Sequence, residues 1–355
     1  MKTGTTRTTL IRRFSFVLLS FALFAALIGF SGAGQASAAS GSGTMIQRKL
    51  ARLHAQPRPL ISSGYISSTS WPVVFVHGFS DSNATDCNSY WSNAESYLHG
   101  YHAFSGSTLH WTGQLITVGY YNGDTNCNAD LRSYASDCTG YYPGNEGTNN
   151  EDIRHIACEF SWYLWYHFTQ YGQNVQIVAH SMGGLITRWA LYATPFDWNF
   201  PPYLGAQDVV TLDTPHNGIP SGVQYFYCGD CVQFQQMDTN SAFIWELYLY
   251  GQNPQGAGWG TDWTLEGTFG SSWGFPCSIV NYEYHSATYM NLGHKVGYYS
   301  PCYSHSGILS DTSDNSDATV DRCNGCVTDP SNWTRLTNAP HSLRYMLYGL
   351  YSSSW

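Results

Sequence analysis

Ser181 stands in the run Val178-Ala179-His180-Ser181-Met182-Gly183-Gly184, with a small residue two positions away on each side. An apolar strand pattern enters this run and a helical pattern leaves it, so the serine falls at the apex of a sharp strand-to-helix turn. Such a turn is the setting of a nucleophile elbow, whose strain brings neighbouring backbone close to the serine and tolerates only small residues beside it. Ala179 stands where glycine is usual, a departure of one methyl group. The alternative is a glycine-rich turn with an incidental serine. Attack on an acyl carbonyl further needs donors for the oxyanion, a base and an acid. Val74-Phe75-Val76-His77-Gly78-Phe79 is an apolar strand ending in His-Gly, a place from which backbone can serve the oxyanion, so Phe79 and Met182 would donate the two N–H groups.

These segments resemble the α/β-hydrolase superfamily, in particular secreted bacterial triacylglycerol lipases and esterases with an Ala-His-Ser-Met-Gly-Gly elbow. Val210-Thr211-Leu212-Asp213-Thr214-Pro215-His216-Asn217-Gly218 extends the resemblance, since it is similar to the Leu-Gly-Thr-Pro-His-x-Gly segment of that family. It covers most of residues 70 to 350, whereas the stretch from Tyr225 to Tyr289 matches poorly. The resemblance implies an α/β fold with a mostly parallel central sheet and helices on both faces. It also implies hydrolysis of lipid or other carboxylic esters through an acyl-enzyme, without an organic cofactor, and a lipid interface is a further contact that it allows.

The base must follow the last strands of the sheet to reach the serine from their carboxyl edge. His305, just beyond a strand pattern at Lys295 to Tyr299, resembles the family histidine; His341, opening an amphipathic C-terminal helix, is the other candidate and reads equally as helix-start packing. His77, His180 and His216 read as neighbours of the motifs. The family acid is expected near Glu266 and the loop after it, yet Thr268 to Tyr282 holds no carboxylate. Some members carry the acid one strand earlier, and there Asp213 replaces the family glycine. Its alternative is a turn-capping aspartate. Glu283, Asp317 and Glu266 remain as other candidates.

Strand patterns at Pro72 to Val76, Leu115 to Tyr121, Val175 to Ala179, Val209 to Leu212 and Lys295 to Tyr299 alternate with helical spacing at residues 151 to 170, from Leu185 to Ala190 and after His341. Alternation of this kind predicts the same mostly parallel α/β sheet. No linker or repeat breaks the chain from Trp71 to Trp355, so residues 71–355 are expected to form one catalytic domain. Residues 39–70 read as a basic pro-segment or linker, and residues 1–38 as a secretory signal peptide, with Arg12-Arg13, an apolar run from Phe14 to Phe30 and small residues around Ala36-Ser37-Ala38. A membrane anchor is the competing reading of that run.

The chain of 355 residues is 43% apolar and 11% charged, which excludes a disordered protein. Eight of its 15 Lys and Arg precede residue 61 and no acid precedes Asp81, so the remainder sets 7 basic against 24 acidic residues. No nucleic-acid partner is therefore expected. Ten cysteines fit disulfides in an oxidising compartment and extracellular export. The pairs Cys228/Cys231 and Cys323/Cys326 lie about ninety residues apart, too far for a zinc ribbon, and no metal is expected. Asp311, Asp314, Asp317 and Asp321 offer oxygen ligands for Ca²⁺ but lack the glycine and terminal glutamate of a calcium loop, so a solvated acidic loop is expected. An aromatic content of 16% also suits a non-catalytic surface-binding protein on a degenerate hydrolase scaffold, and the same triad would serve a polymeric ester.

Overall fold

The computed structural model describes residues 67–221, 228–251, 260–268, 286–291, 293–300, 303–322 and 333–352. All lie in one compact unit, Gly43–Trp355; the expected signal peptide and most of the basic segment fall outside the described residues. The strand Val73–Val76 (β1) is buried at every position, as a central parallel strand covered on both faces must be. It pairs in parallel with Leu115–Gly119 (β4) on one side and Val175–His180 (β6) on the other. A small antiparallel pair, His102–Phe104 (β2) and Ser107–Leu109 (β3), lies apart from this sheet. From β6 the sheet continues in parallel through Ala206–Leu212 (β7), Asp262–Thr268 (β8) and His294–Ser300 (β9), and Ala129–Asp130 (β5) extends β4 at the far edge. Ser316–Asp321 (β10) and Thr334–Ala339 (β11) then add antiparallel strands, giving nine strands in the order β11-β10-β9-β8-β7-β6-β1-β4-β5 among the described residues.

Alternation along β1 sends side chains to two cores. Val73 and Phe75 join Trp91, Ala94 and Leu98 of helix Cys87–Leu98 (α1) and Leu343, Met346 and Leu350 of helix Ser342–Tyr351 (α6). Val74 and Val76 join Ile156, Phe160 and Leu164 of helix Ile153–His167 (α2) and Leu185, Ile186 and Trp189 of helix Met182–Ala193 (α3). Helices therefore cover both faces, as the alternation of patterns predicts. Short polar side chains start them: the carboxylates of Asp86 and Asp152 accept N–H bonds from Ser89 (3.0 Å) and Arg154 (2.8 Å).

Two boundaries differ from expectation. β4 stops at Gly119 rather than Tyr121 because Asp124 Oδ2 accepts the N–H groups of Tyr120 (2.7 Å) and Tyr121 (2.8 Å), replacing the ladder with a side-chain acceptor. The body also begins before Trp71. Ser67 is buried, donates its N–H to the Tyr351 carbonyl (2.8 Å) and hydrogen-bonds Asp208 through its hydroxyl.

Cys87–Cys127, Cys138–Cys158 and Cys228–Cys231 form disulfides; the other four cysteines lie outside the described residues. Cys138–Cys158 ties α2 to the 3₁₀ segment Leu131–Cys138 across 20 residues. Closing a loop of that length limits the unfolded chain by about 3 kcal/mol. Replacing both cysteines by serine is expected to lower the free energy of unfolding by roughly that amount, read from the urea midpoint at unchanged m-value.

Candidate active site

β6 ends at His180 and α3 begins at Met182, so Ser181 must turn the chain alone, which it does at φ 56° and ψ −130°. A Cβ makes that region costly, of order 1–3 kcal/mol, and it persists only where surroundings hold it. The Ser181 N–H donates to the Leu212 carbonyl (3.0 Å) and the Gly184 N–H to the Ser181 carbonyl (3.1 Å). Close approach completes the fixture. A Cβ at Gly183 would sit 2.2 Å from the Val76 carbonyl oxygen, and one at Gly78 would sit 2.6 Å from Ser181 Cβ. Ala179, two residues before Ser181, fits fully buried in the core.

The end of β1 is fixed from three directions. His77 stacks on Tyr120 with ring centroids 4.2 Å apart and places Nε2 3.1 Å from Asp124 Oδ2. The Tyr120 hydroxyl lies 2.7 Å from the Gly78 carbonyl oxygen, and the Gly78 N–H donates to the Tyr90 hydroxyl (3.1 Å). Phe79, next along, meets Phe234 of helix Val232–Met237 (α4) edge to face at 4.8 Å. Met182 is the first residue of α3, where N–H groups have no partner within the helix. Phe79 and Met182 thus flank Ser181, one beyond the end of β1 and one at the head of α3.

His305 reaches this corner across 125 residues. The Tyr90 hydroxyl, having accepted from Gly78, donates to His180 Nδ1, and His180 Nε2–H donates to the His305 carbonyl (2.7 Å). The two imidazoles lie 4.5 Å apart. Burial, then the adjacent His305, pushes His180 well below the ordinary histidine range, which suits the neutral tautomer that this chain requires. His180 is therefore a neighbour of the elbow that also grips the His305 loop.

Pairing of His180 with Leu212 sets Ser181 and Asp213 one residue past the same rung of adjacent strands. Asp213 is 2% exposed at φ 44°, with its N–H on the Glu266 carbonyl (2.9 Å). Its carboxylate accepts the Thr268 N–H (2.9 Å) and hydroxyl (3.3 Å). Glu266 instead lies inside β8, with the Tyr298 hydroxyl 3.4 Å away. Burial, and secondarily the charge of Asp213, raise its pKa well above the usual carboxylate range. Asp317 belongs to β10, opposite Ser300, and Glu283 lies outside the described residues.

The other polar candidates have structural occupations. His341 caps α6, its Nδ1 accepting the Arg344 N–H (3.2 Å), and His216 Nε2 meets the Thr211 hydroxyl (3.1 Å). The four acids of the expected loop do not converge: Asp311 takes the Tyr303 hydroxyl, Asp314 pairs with Arg344, and Asp317 and Asp321 belong to β10. Sequence reasoning missed Arg188. Fully buried, it donates from Nε and both terminal nitrogens to the carbonyls of Gly251, His216 and Leu247, each at 2.8 Å. Burial lowers it to about 9. It fastens helix Ala242–Leu249 (α5), part of the poorly matched stretch, onto the body. Tyr90, Tyr120 and Asp124 were missed too, since nothing local in the sequence joins them to the strand ends they hold.

Solved structures similar to this chain include lipases. The mature form of a Bacillus licheniformis lipase is 15% identical, with 60% of this chain and 70% of that one covered at a TM-score of 0.35. Its propeptide form is 16% identical, covering 71% of this chain and 49% of that one at 0.42. Aspergillus fumigatus lipase B is 15% identical over 59% of this chain and 40% of its own length, at 0.35. No family model and no curated protein matches the chain.

Burial lowers His341 to about 4, against a weaker opposing pull from Asp314. The unfolded chain, with an ordinary histidine near 6.5, binds the proton first. Stability from this residue is therefore present above about pH 6.5 and lost as pH falls toward about 4. His341→Asn keeps a capping acceptor without the titration. The stability gap between wild type and variant, from urea midpoints, should shrink between pH 7 and pH 4.5; a constant gap would contradict the buried neutral cap.

Proposed function

We propose that the protein is a serine ester hydrolase of lipase or esterase type, exported to an extracellular setting. The observation that carries this reading is the strained turn at Ser181, held at positive φ by the backbone of β1 and β7 and opening directly into the first N–H of α3. Strain of that kind concentrates where a side chain must be presented for chemistry.

In this reading His305 takes the proton of Ser181 as the oxygen attacks the ester carbonyl. Asp213, supported by Thr268, holds the imidazole in one tautomer and stabilises its charged form. The amides of Phe79 and Met182 receive the negative charge that develops on the carbonyl oxygen. The protonated imidazole gives its proton to the departing alcohol, and water, activated by the same base, releases the acid and restores the serine. An apolar ester fits the surroundings. Trp245, Tyr248 and Tyr250 are 58%, 42% and 63% exposed on and just after α5, and Tyr248 stacks toward Tyr289 at 6.2 Å. Exposed aromatics on a helix anchored by Arg188 give a fixed apolar face suited to acyl chains or a lipid surface.

A fluorophosphonate should label Ser181, located by mass mapping, and Ser181→Ala should abolish both labelling and ester turnover with the fold intact. Retention of a tenth of the wild-type rate would sink the assignment. His305→Ala should match that loss, because triad members act as a unit, and Asp213→Asn should lower turnover by roughly 10⁴.

Tyr90→Phe cuts the chain from Gly78 to His180 without touching the proposed triad. Its expected effect is a drop of about tenfold in kcat with KM little changed, the worth of one positioning hydrogen bond. An unaltered kcat would mean that His180 holds the His305 loop without help from Tyr90.

A further inference from the structure

We propose that Glu151, His155 and Glu159 form a divalent-metal site, best matched to zinc, separate from the residues assigned to ester cleavage. His155 and Glu159 lie one turn apart on α2 and Glu151 stands just before its N-cap Asp152, and all three face inward: Glu151 and Glu159 are 0% exposed and His155 is 1% exposed. Inward positions of a helix are ordinarily apolar, and placing two carboxylates and an imidazole there costs several kcal/mol unless each finds a partner.

The partners within the protein fall short. Glu151 accepts the Gly147 N–H at Oε2 (2.7 Å), but its Oε1 has no hydrogen bond, and neither oxygen of Glu159 has one. His155 presents Nδ1 to the Tyr141 carbonyl at 2.6 Å, which fixes the proton there and leaves the lone pair of Nε2 pointing inward. That nitrogen lies 3.7 Å from Glu159 Oε1 and is itself without a hydrogen bond. A lone pair facing a carboxylate is repulsive unless a proton or a metal ion lies between them. An imidazole whose other nitrogen donates to a carbonyl is also the usual arrangement of a metal-bound histidine.

One donor atom from each of the three residues lies within 4.8 Å of the others. Tetrahedral zinc, with bonds of about 2.0–2.2 Å, wants donors roughly 3.3–3.5 Å apart, a contraction within the reach of two glutamate side chains. One nitrogen and two oxygens suit zinc, with water completing the shell. Two carboxylates would balance its charge. The nearby guanidinium of Arg132 cannot substitute, being committed to Asp130 and Asn122. Without such an ion, burial raises Glu151 to about 8 and Glu159 well above the usual range, so the pair would be held largely as neutral acids. The ion would clip α2 to the loop that carries Gly147 and Glu151, beside the Cys138–Cys158 disulfide. The pattern Glu-x₃-His-x₃-Glu stands in the sequence at residues 151, 155 and 159, but without the cysteines that mark a structural zinc site.

The test uses untagged full-length protein stripped with chelator, then titrated with Zn²⁺ or Co²⁺. The expected result is one metal per chain, a visible Co²⁺ spectrum, and a rise in Tm of roughly 5 °C at a hundredfold excess over Kd. Glu159→Gln and His155→Gln should each abolish stoichiometric binding and the Tm rise, whereas Ser181→Ala should bind metal normally. Should the variants not fold, the Co²⁺ spectrum and zinc-edge absorption of the wild type must show one nitrogen and two carboxylate oxygens. Absence of bound metal with no Tm response, metal retained by both variants, or a ligand set with sulfur would each overturn the proposal, the first leaving a proton-sharing acid pair in its place.

Discussion

Backbone reaching Ser181 from both neighbouring strands is the constraint on which the rest of the site depends. The serine holds φ 56° because the ends of β1 and β7 press on it and α3 starts without a spacer. Those contacts demand that β1 and β7 flank β6, that side chains be missing at Gly78 and Gly183, and that both faces of the sheet be filled. The buried run Val73–Val76 is therefore as much a part of the site as the serine, since it carries Gly78 to within contact of Ser181.

Short-range chemistry in the sequence made the frame legible. Strand runs bounded by helical spacing identified the parallel sheet, and the small residues around Ser181 identified its turn, because periodicity and steric demand are both local. The strand ends were less legible: β4 stops where Asp124 captures two N–H groups, an event written in a side chain outside the strand pattern. Of the residues that tie the site together, Tyr90 acts from α1, Asp124 from a turn, and Arg188 from the buried face of α3. Each works through contacts tens of residues away in the chain, and nothing in its own neighbourhood announces them. Glu159 was hidden differently. It sits among the apolar positions Ile153, Ile156, Ala157, Phe160 and Leu164, whose helical spacing masks a buried acid between them.

Asp213 and Glu266 show how one sheet treats two carboxyl groups oppositely. Neighbours in β7 and β8 bring them together, and both are buried. Asp213 stands just past its strand, where the left-handed turn opens N–H and hydroxyl donors to it from Thr268. Glu266 stands inside the strand, where the backbone donors are engaged in the ladder and only a long contact from Tyr298 is offered. Burial, and secondarily the charge of Asp213, favour the neutral form of Glu266. Position relative to the strand end therefore decides which of the two carboxyl groups meets close hydrogen-bond donors.

The same logic ranks the buried histidines. His180, His216 and His341 each use a ring nitrogen in a fixed hydrogen bond, and burial lowers the pKa of all three. A general base must accept a proton during turnover, and a ring already committed to holding backbone or a helix end cannot do so without dismantling what it holds. His305 differs because the grip on it is through its carbonyl, supplied by His180. At His305 the hydrogen bond from His180 falls on the backbone carbonyl, so what the fold fixes there is the loop that carries the imidazole of the proposed base.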